Sequence, residues 1–172
     1  MSEVVCTVLW RFGVNQYATE IGCNISRLGT KHMGEAIRTQ IDVEVRYFET
    51  DQMGLVHHAN YLVWFELART DLCARSGYHY ADIERIGYRL LNIELQVRYR
   101  KPAHYGETVS VTCWIEDLAS RAIRFAYEVR RDDELLVTGS TQHLWVEATS
   151  NPPCRTPKEL RQPFRELAGL EG

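Results

Sequence analysis

The sequence predicts an α+β fold in which an antiparallel sheet wraps around one long helix. Two observations lead to this prediction. One strand pattern precedes a single long helical pattern, and four further strand patterns follow that helix. A largely apolar helix must be covered on most of its sides, and a sheet curved around it is the most economical cover.

The first strand is predicted over residues 41–48. Apolar and charged residues alternate there, as in a strand with one buried face. The predicted buried face consists of Ile41, Val43, Val45 and Tyr47. A polar loop over residues 49–58 then leads to the helix.

The central helix is predicted from Asn60 to about Ser76. Tyr61, Phe65, Ala68 and Leu72 recur at helical spacing. Gly77 follows at the position where a left-handed glycine commonly ends a helix.

The remaining elements are a short helix, four strands and a terminal helix. Each strand segment is rich in β-branched or aromatic residues, and loop residues separate the segments. The predicted ranges are a helix over 81–86, strands over 88–100, 109–118, 123–131 and 135–147, and a helix over 157–167 that Pro163 interrupts.

Size and composition are those of one ordinary domain. The chain has 172 residues, of which 45% are hydrophobic and 25% are charged. Residues 39–172 are predicted to form that domain. Residues 1–38 show no sustained period and are interpreted as an N-terminal extension that is disordered or not native, with translation starting at Met33 as one explanation.

Charge, cysteine and histidine patterns exclude several classes of protein. The net charge of −3 offers no global attraction to nucleic acid or to anionic membranes. No apolar run is long enough to span a membrane, so a cytoplasmic protein without membrane insertion is predicted. The five scattered cysteines form no C-x-x-C pair and the six histidines form no i, i+4 pair, so no disulfide framework, metal site or cofactor is predicted.

The segment over residues 50–61 is where chemistry is plausible. The first amides of a helix lack intrahelical acceptors and lie at the positive end of its dipole, so they can hold a developing oxyanion. Asp51 on the preceding loop could attack the polarised carbonyl or activate water, and Gly54 lets the loop turn sharply. On spacing alone, a purely structural role for Asp51 as a turn cap is favoured over a catalytic one, since such loops are common.

At these residues the sequence resembles the 4-hydroxybenzoyl-CoA thioesterase branch of the hot-dog fold superfamily, which includes acyl-CoA thioesterases associated with the bacterial Tol-Pal system. The resemblance covers about residues 39–167. Its motifs are Tyr47-Phe48-Glu49-Thr50-Asp51-Gln52-Met53-Gly54, Val56-His57-His58-Ala59-Asn60-Tyr61, Phe65-Glu66-x-Ala68-Arg69 and Val97-Arg98-Tyr99-Arg100-Lys101-Pro102-Ala103.

The resemblance implies a hot-dog fold and hydrolysis of acyl-CoA thioesters without a cofactor. It places the catalytic carboxylate on Asp51, a second catalytic side chain on His58, and the oxyanion amides on His58 and Ala59. The substrate-binding residues that it implies in the same motifs are Gly54, Val56, Asn60 and Tyr61.

The resemblance also implies partners. Arg121, Arg124 and Arg155 are expected to contact the phosphates of coenzyme A, which require cationic side chains. A homodimer whose sheets join edge to edge, with the active site between subunits, is expected, and further pairing to a homotetramer is usual. The pattern leaves open whether CoA or an acyl carrier protein carries the acyl group.

Two other functions remain as alternatives. The same fold supports hydration or dehydration of an acyl thioester, for which His58 and Asp51 would form the proton-transfer pair. A non-catalytic acyl-CoA binding module is the other.

On the helix, Glu66 is predicted to form a structural ion pair with Arg69 three residues on.

Overall fold

The computed structural model describes residues 34–170 and, as backbone alone, one strand near the N-terminus. The elements in chain order are β1 (Val4–Leu9), β2 (Thr39–Glu44), a 3-10 turn (Tyr47–Glu49), α1 (Asn60–Ala74), α2 (Tyr80–Arg85), β3 (Tyr88–Tyr99), β4 (Thr108–Leu118), β5 (Ala122–Arg131), β6 (Glu134–Glu147) and α3 (Lys158–Leu167). The strands form one antiparallel sheet in the order β1-β3-β6-β5-β4-β2.

The helix α1 supplies the centre of the core. Its buried side chains include Trp64, Phe65 and Leu72, all at most 1% exposed. The Phe65 ring stacks on Tyr127 of β5, with ring centroids 4.3 Å apart. Gly139 of β6 admits this ring, because a Cβ there would lie 2.5 Å from Phe65 Cε2. The predicted arrangement of one long helix against an antiparallel sheet is confirmed.

Two element predictions are wrong in detail. The first strand ends at Glu44 instead of residue 48, and Tyr47 is 77% exposed instead of buried. The cause is Glu49, whose carboxylate accepts the backbone N–H of Arg46 and turns the chain out of the strand. Pro163 lies inside α3 without interrupting it, since Leu160, Phe164 and Leu167 anchor the helix in the core.

The strand β1 is a feature that the sequence pattern did not predict. It extends the sheet beyond β3, with Val4 opposite Tyr99 and Leu9 opposite Glu94. Residues 10–33 lie outside the described residues. The interpretation of residues 1–38 as an extension outside the domain, and of Met33 as a start site, therefore stays a prediction.

Cys73 and Cys113 are free, buried thiols. Burial raises the pKa of Cys73 to about 12, so this thiol is protonated at neutral pH.

Within the part of the chain that the structure describes, no helix is long and apolar enough to cross a membrane.

Candidate active site

The loop before α1 is a small hairpin. Thr50 pairs with Val56, and the Asp51 N–H donates to the carbonyl of Leu55 at 2.8 Å. The turn is closed by the Gly54 N–H, which donates to the Asp51 carbonyl at 3.0 Å. Gly54 has a φ of 73°, a conformation that residues with a Cβ rarely adopt, so the glycine is needed for the turn.

The Asp51 side chain is exposed at the base of this turn. Its Oδ1 accepts the Met53 N–H at 2.8 Å, which is the turn-capping role considered above. Among residues 34–170, no residue forms an ion pair with the Asp51 carboxylate, and none donates a hydrogen bond to its Oδ2. The cap therefore fixes the orientation of the carboxylate and leaves Oδ2 without a partner among residues 34–170.

The first turn of α1 is not capped by a side chain. Ala59 is the N-cap residue and no acidic residue occupies the first turn. The Ala59 N–H reaches Nδ1 of His57 at a long 3.3 Å, and the His58 N–H has no acceptor among residues 34–170. The positive end of the helix thus keeps at least one amide available for an anionic ligand.

Glu49 joins the hairpin to the helix, and its role was not predicted from the sequence. Its carbonyl accepts the His57 N–H at 2.8 Å and the side-chain amide of Asn60 at 2.6 Å. Its carboxylate is buried and accepts Trp64 Nε1–H of α1 at 3.1 Å. The only signal in the sequence is an acidic residue within an aromatic motif.

The predicted substrate-binding residues divide into two groups. Val56 and Tyr61 are 6% and 2% exposed and belong to the core beneath the loop. The Tyr61 hydroxyl accepts the Ala103 N–H at 3.1 Å, and burial raises its pKa. Gly54 and Asn60 shape the loop itself, Gly54 through its backbone and Asn60 through the bond to Glu49.

The two adjacent histidines are exposed at the entrance to the helix. The rings of His57 and His58 lie 4.0 Å apart, tilted by 36°. The carbonyl of His58 accepts the Tyr99 hydroxyl at 3.0 Å, which ties this corner to the end of β3. This bond holds the backbone of His58, just before the helix start, against the end of β3.

Four large apolar side chains around the loop are left in solvent. Tyr47, Phe48, Met53 and Tyr105 are each between 62% and 77% exposed. Tyr47 and Tyr105 pack edge to face, with centroids 5.6 Å apart. We call these four residues the apolar collar. An exposed group of this kind is typical of a surface that receives an apolar ligand or another chain.

The predicted phosphate-binding arginines divide into two groups. The segments that carry Arg121 and Arg155 are joined by the Thr156 N–H, which donates to the Ser120 carbonyl at 2.9 Å. Arg124 lies within β5 and hydrogen-bonds to Glu94 and Gln142. Arg155 lines a cavity of about 370 Å³, together with Arg161 and Arg165 of α3. The cavity lining is completed by Leu118, Ala119, Ser120 and Thr156, so the adjacent Arg121 is next to it without lining it.

The predicted ion pair between Glu66 and Arg69 is not formed in the described part of the chain. Arg69 instead points toward β6, where its Nη1 lies 3.1 Å from both ring nitrogens of His143. The Thr141 hydroxyl lies 2.9 Å from His143 Nε2 and 2.8 Å from the Tyr127 hydroxyl. Burial and the Arg69 charge lower the pKa of His143 to about 3.

A long helix held against an antiparallel sheet, with a polar hairpin at its N-terminus, defines the hot-dog class of α+β proteins. The chain belongs to the thioesterase-like superfamily, whose family model matches residues 45–164. This match includes the hairpin, α1 and the strands β3 to β6.

Individual relatives agree with the family. YneP of Bacillus subtilis (strain 168), named as a candidate acyl-CoA thioesterase, is 42% identical over 113 residues, which cover 65% of this chain and 82% of YneP. The crystal structure of the hypothetical protein TT1821 from Thermus thermophilus is 37% identical with a TM-score of 0.72 and covers 76% of this chain and 98% of that one.

A third relative has a named substrate. The DHNA-CoA thioesterase from Staphylococcus aureus is 35% identical, with a TM-score of 0.67 over 75% of this chain and 85% of that one. The predicted hot-dog fold is confirmed by these structures.

Proposed function

We propose that this protein hydrolyses acyl-CoA thioesters to the free acid and CoA. The observation that carries the proposal is the carboxylate of Asp51, held by its turn with one open oxygen, on the hairpin that leads into an uncapped helix N-terminus. The names of the relatives support the same reaction. Assignment to the 4-hydroxybenzoyl-CoA thioesterase branch, on the motifs over residues 47–61, is part of this proposal.

The chemistry requires two groups that act on one carbonyl. The thioester oxygen would accept the His58 N–H, with the Ala59 N–H as a second donor once it leaves His57, so that charge developing on oxygen is stabilised. Asp51 would attack the carbonyl carbon as a nucleophile, or remove a proton from an attacking water. Collapse of the tetrahedral intermediate then breaks the carbon–sulfur bond and releases the CoA thiolate. On the water route this gives the free acid directly, and on the nucleophilic route a water must then hydrolyse the acyl–Asp51 anhydride to release the acid and restore the carboxylate.

The other exposed groups have proposed roles in this reaction. The His58 imidazole would exchange a proton with the attacking water or the departing thiolate. The apolar collar would contact the acyl group or the partner in a homodimer, which the exposure of four large apolar side chains favours. The assembly, dimer or tetramer, and a carrier protein as thioester donor remain parts of the proposal.

A thiol-release assay over a panel of acyl-CoAs tests the function. We expect release of free CoA thiol from aromatic and aliphatic acyl-CoAs, with no change in an enoyl-CoA other than its hydrolysis. Loss of the conjugated absorbance of the enoyl-CoA without thiol release would favour a hydratase. Saturable binding without turnover of any acyl-CoA would favour a binding module.

The arginine cavity supports a place for the CoA phosphates. Substitution of Arg155 or Arg161 by glutamine should raise KM for an acyl-CoA by about fivefold, because an exposed charge pair contributes about 1 kcal/mol. The same variants should hydrolyse the acyl-N-acetylcysteamine thioester, which has no phosphate, with unchanged KM. Arg85→Gln, which removes an ion pair with Asp82 on α2, is the control.

An equal rise of KM for both substrates would assign these arginines to the structure of α3 instead of to the phosphates. Measurement of KM for both substrates in each variant decides between the two.

A further inference from the structure

Glu49 is the one buried carboxylate among residues 34–170, with a side chain only 1% exposed. A carboxylate loses its hydration on burial, and it is retained only where donors from the protein replace the water. Its position two residues before Asp51 raises the question of what this buried charge holds in place.

The donors come from two separate elements. From the residue before the 3-10 turn, the Arg46 backbone N–H and its Nη2–H donate to the carboxylate, each at 2.8 Å. From α1, the indole Nε1–H of Trp64 donates at 3.1 Å. Trp64 is fully buried and one turn along from Asn60, so the carboxylate is fixed to the body of the helix.

The backbone of the same residue holds the start of the helix. The Glu49 carbonyl accepts both the His57 N–H and the Asn60 side-chain N–H. Glu49 therefore contacts Arg46 before the 3-10 turn, His57 just after the hairpin, and the first turns of α1.

The charge on Glu49 is maintained at neutral pH. Burial acts to raise the pKa of its carboxyl, but hydrogen bonds from Arg46 and Trp64 outweigh burial, and the pKa lies below its ordinary value. Arg46 is itself more than half exposed, so the pair is open to solvent on the arginine side alone.

We propose that Glu49 is a positioning residue for the hydrolytic reaction, which fixes the Asp51 hairpin in register with the His58 amide at the start of α1. This inference rests on the proposed function. Glu49 thereby connects the hairpin that carries the Asp51 carboxylate to the helix start that carries the His58 amide. Their separation is then set by bonds to Trp64 and Asn60 rather than by the exposed loop.

Two conservative variants test the proposal. Glu49→Gln keeps an acceptor oxygen but loses the charge that pairs with Arg46, and Trp64→Phe keeps an aromatic ring but loses the indole donor. Both should lower kcat for acyl-CoA hydrolysis by about 10- to 100-fold with KM nearly unchanged, because small displacements of reacting groups are costly. Glu128→Gln, which removes an ion pair with Arg130 on β5, is the matched control and should keep wild-type kcat.

A double-mutant cycle separates positioning from general stability. In an Asp51→Asn background, Glu49→Gln should cause no further loss of rate, because its effect passes through the Asp51 carboxylate. A folded Glu49→Gln or Trp64→Phe enzyme with wild-type kcat would overturn the proposal. So would a loss that multiplies with that of Asp51→Asn.

The cycle also distinguishes this inference from the proposed function. Full activity of Asp51→Asn alone would refute both the assignment of Asp51 and the role of Glu49. An inactive Asp51→Asn enzyme, combined with independent losses from Glu49→Gln, would overturn the positioning role and leave the proposed function standing. If Glu49→Gln does not fold, Trp64→Phe in the same cycle gives the answer.

Discussion

Asp51→Asn should lower kcat for acyl-CoA hydrolysis by about a hundredfold or more, since general bases typically contribute at least that much. The asparagine side chain retains an oxygen that can accept the Met53 N–H, so the turn and the hairpin should persist. What is lost is the negative charge that, in the proposed reaction, would attack the carbonyl or activate water. Steady-state thiol release, compared with wild type at matched protein concentration, measures the effect.

The control for this substitution is Asp42→Asn, which neutralises an exposed carboxylate on β2 and should leave kcat unchanged. Circular dichroism and size-exclusion chromatography should show the same fold and assembly for all three proteins. Wild-type kcat in the Asp51→Asn enzyme would restrict Asp51 to capping its turn.

The parts of the fold that were predicted from the sequence are those encoded by local periodicity. The helical spacing of Tyr61, Phe65 and Leu72 reports one buried face, and that face is buried as predicted. The end of the first strand was predicted wrongly, because Glu49 turns the chain by a bond to Arg46 that alternation does not encode.

The candidate site likewise contains residues that a local sequence motif identifies and residues that only tertiary contacts identify. Asp51, Gly54 and His58 lie within one short segment, so a motif was sufficient to select them. The role of Glu49 was not predicted, because it depends on burial against Trp64, fifteen residues further along the chain. Arg69 was paired with Glu66 on helical spacing alone, whereas its partner in the structure is His143, on a strand 74 residues away.

His143 should make the protein lose stability as the pH falls below about 6.5. Burial first, and then the Arg69 charge, lower its pKa from 6.5 to about 3, against a smaller opposing contribution from a hydrogen bond to the Leu90 backbone. Between these two values the unfolded chain binds a proton that the folded chain does not. The free energy of unfolding therefore decreases by about 1.4 kcal/mol for each pH unit in that window, and this residue contributes no pH dependence above it.

The comparison with His143→Gln isolates this group from the carboxylates that also titrate in acid. Both proteins would be unfolded with urea at pH 7.5, 6.5, 5.5 and 4.5. The stability advantage of wild type over the variant should shrink by about 2 to 3 kcal/mol between pH 7.5 and 4.5, because only the wild-type unfolded state gains the imidazole proton. An advantage that stays constant over this range would mean that the imidazole titrates equally in both states, and hence that Arg69 and the surrounding core do not exclude its charge.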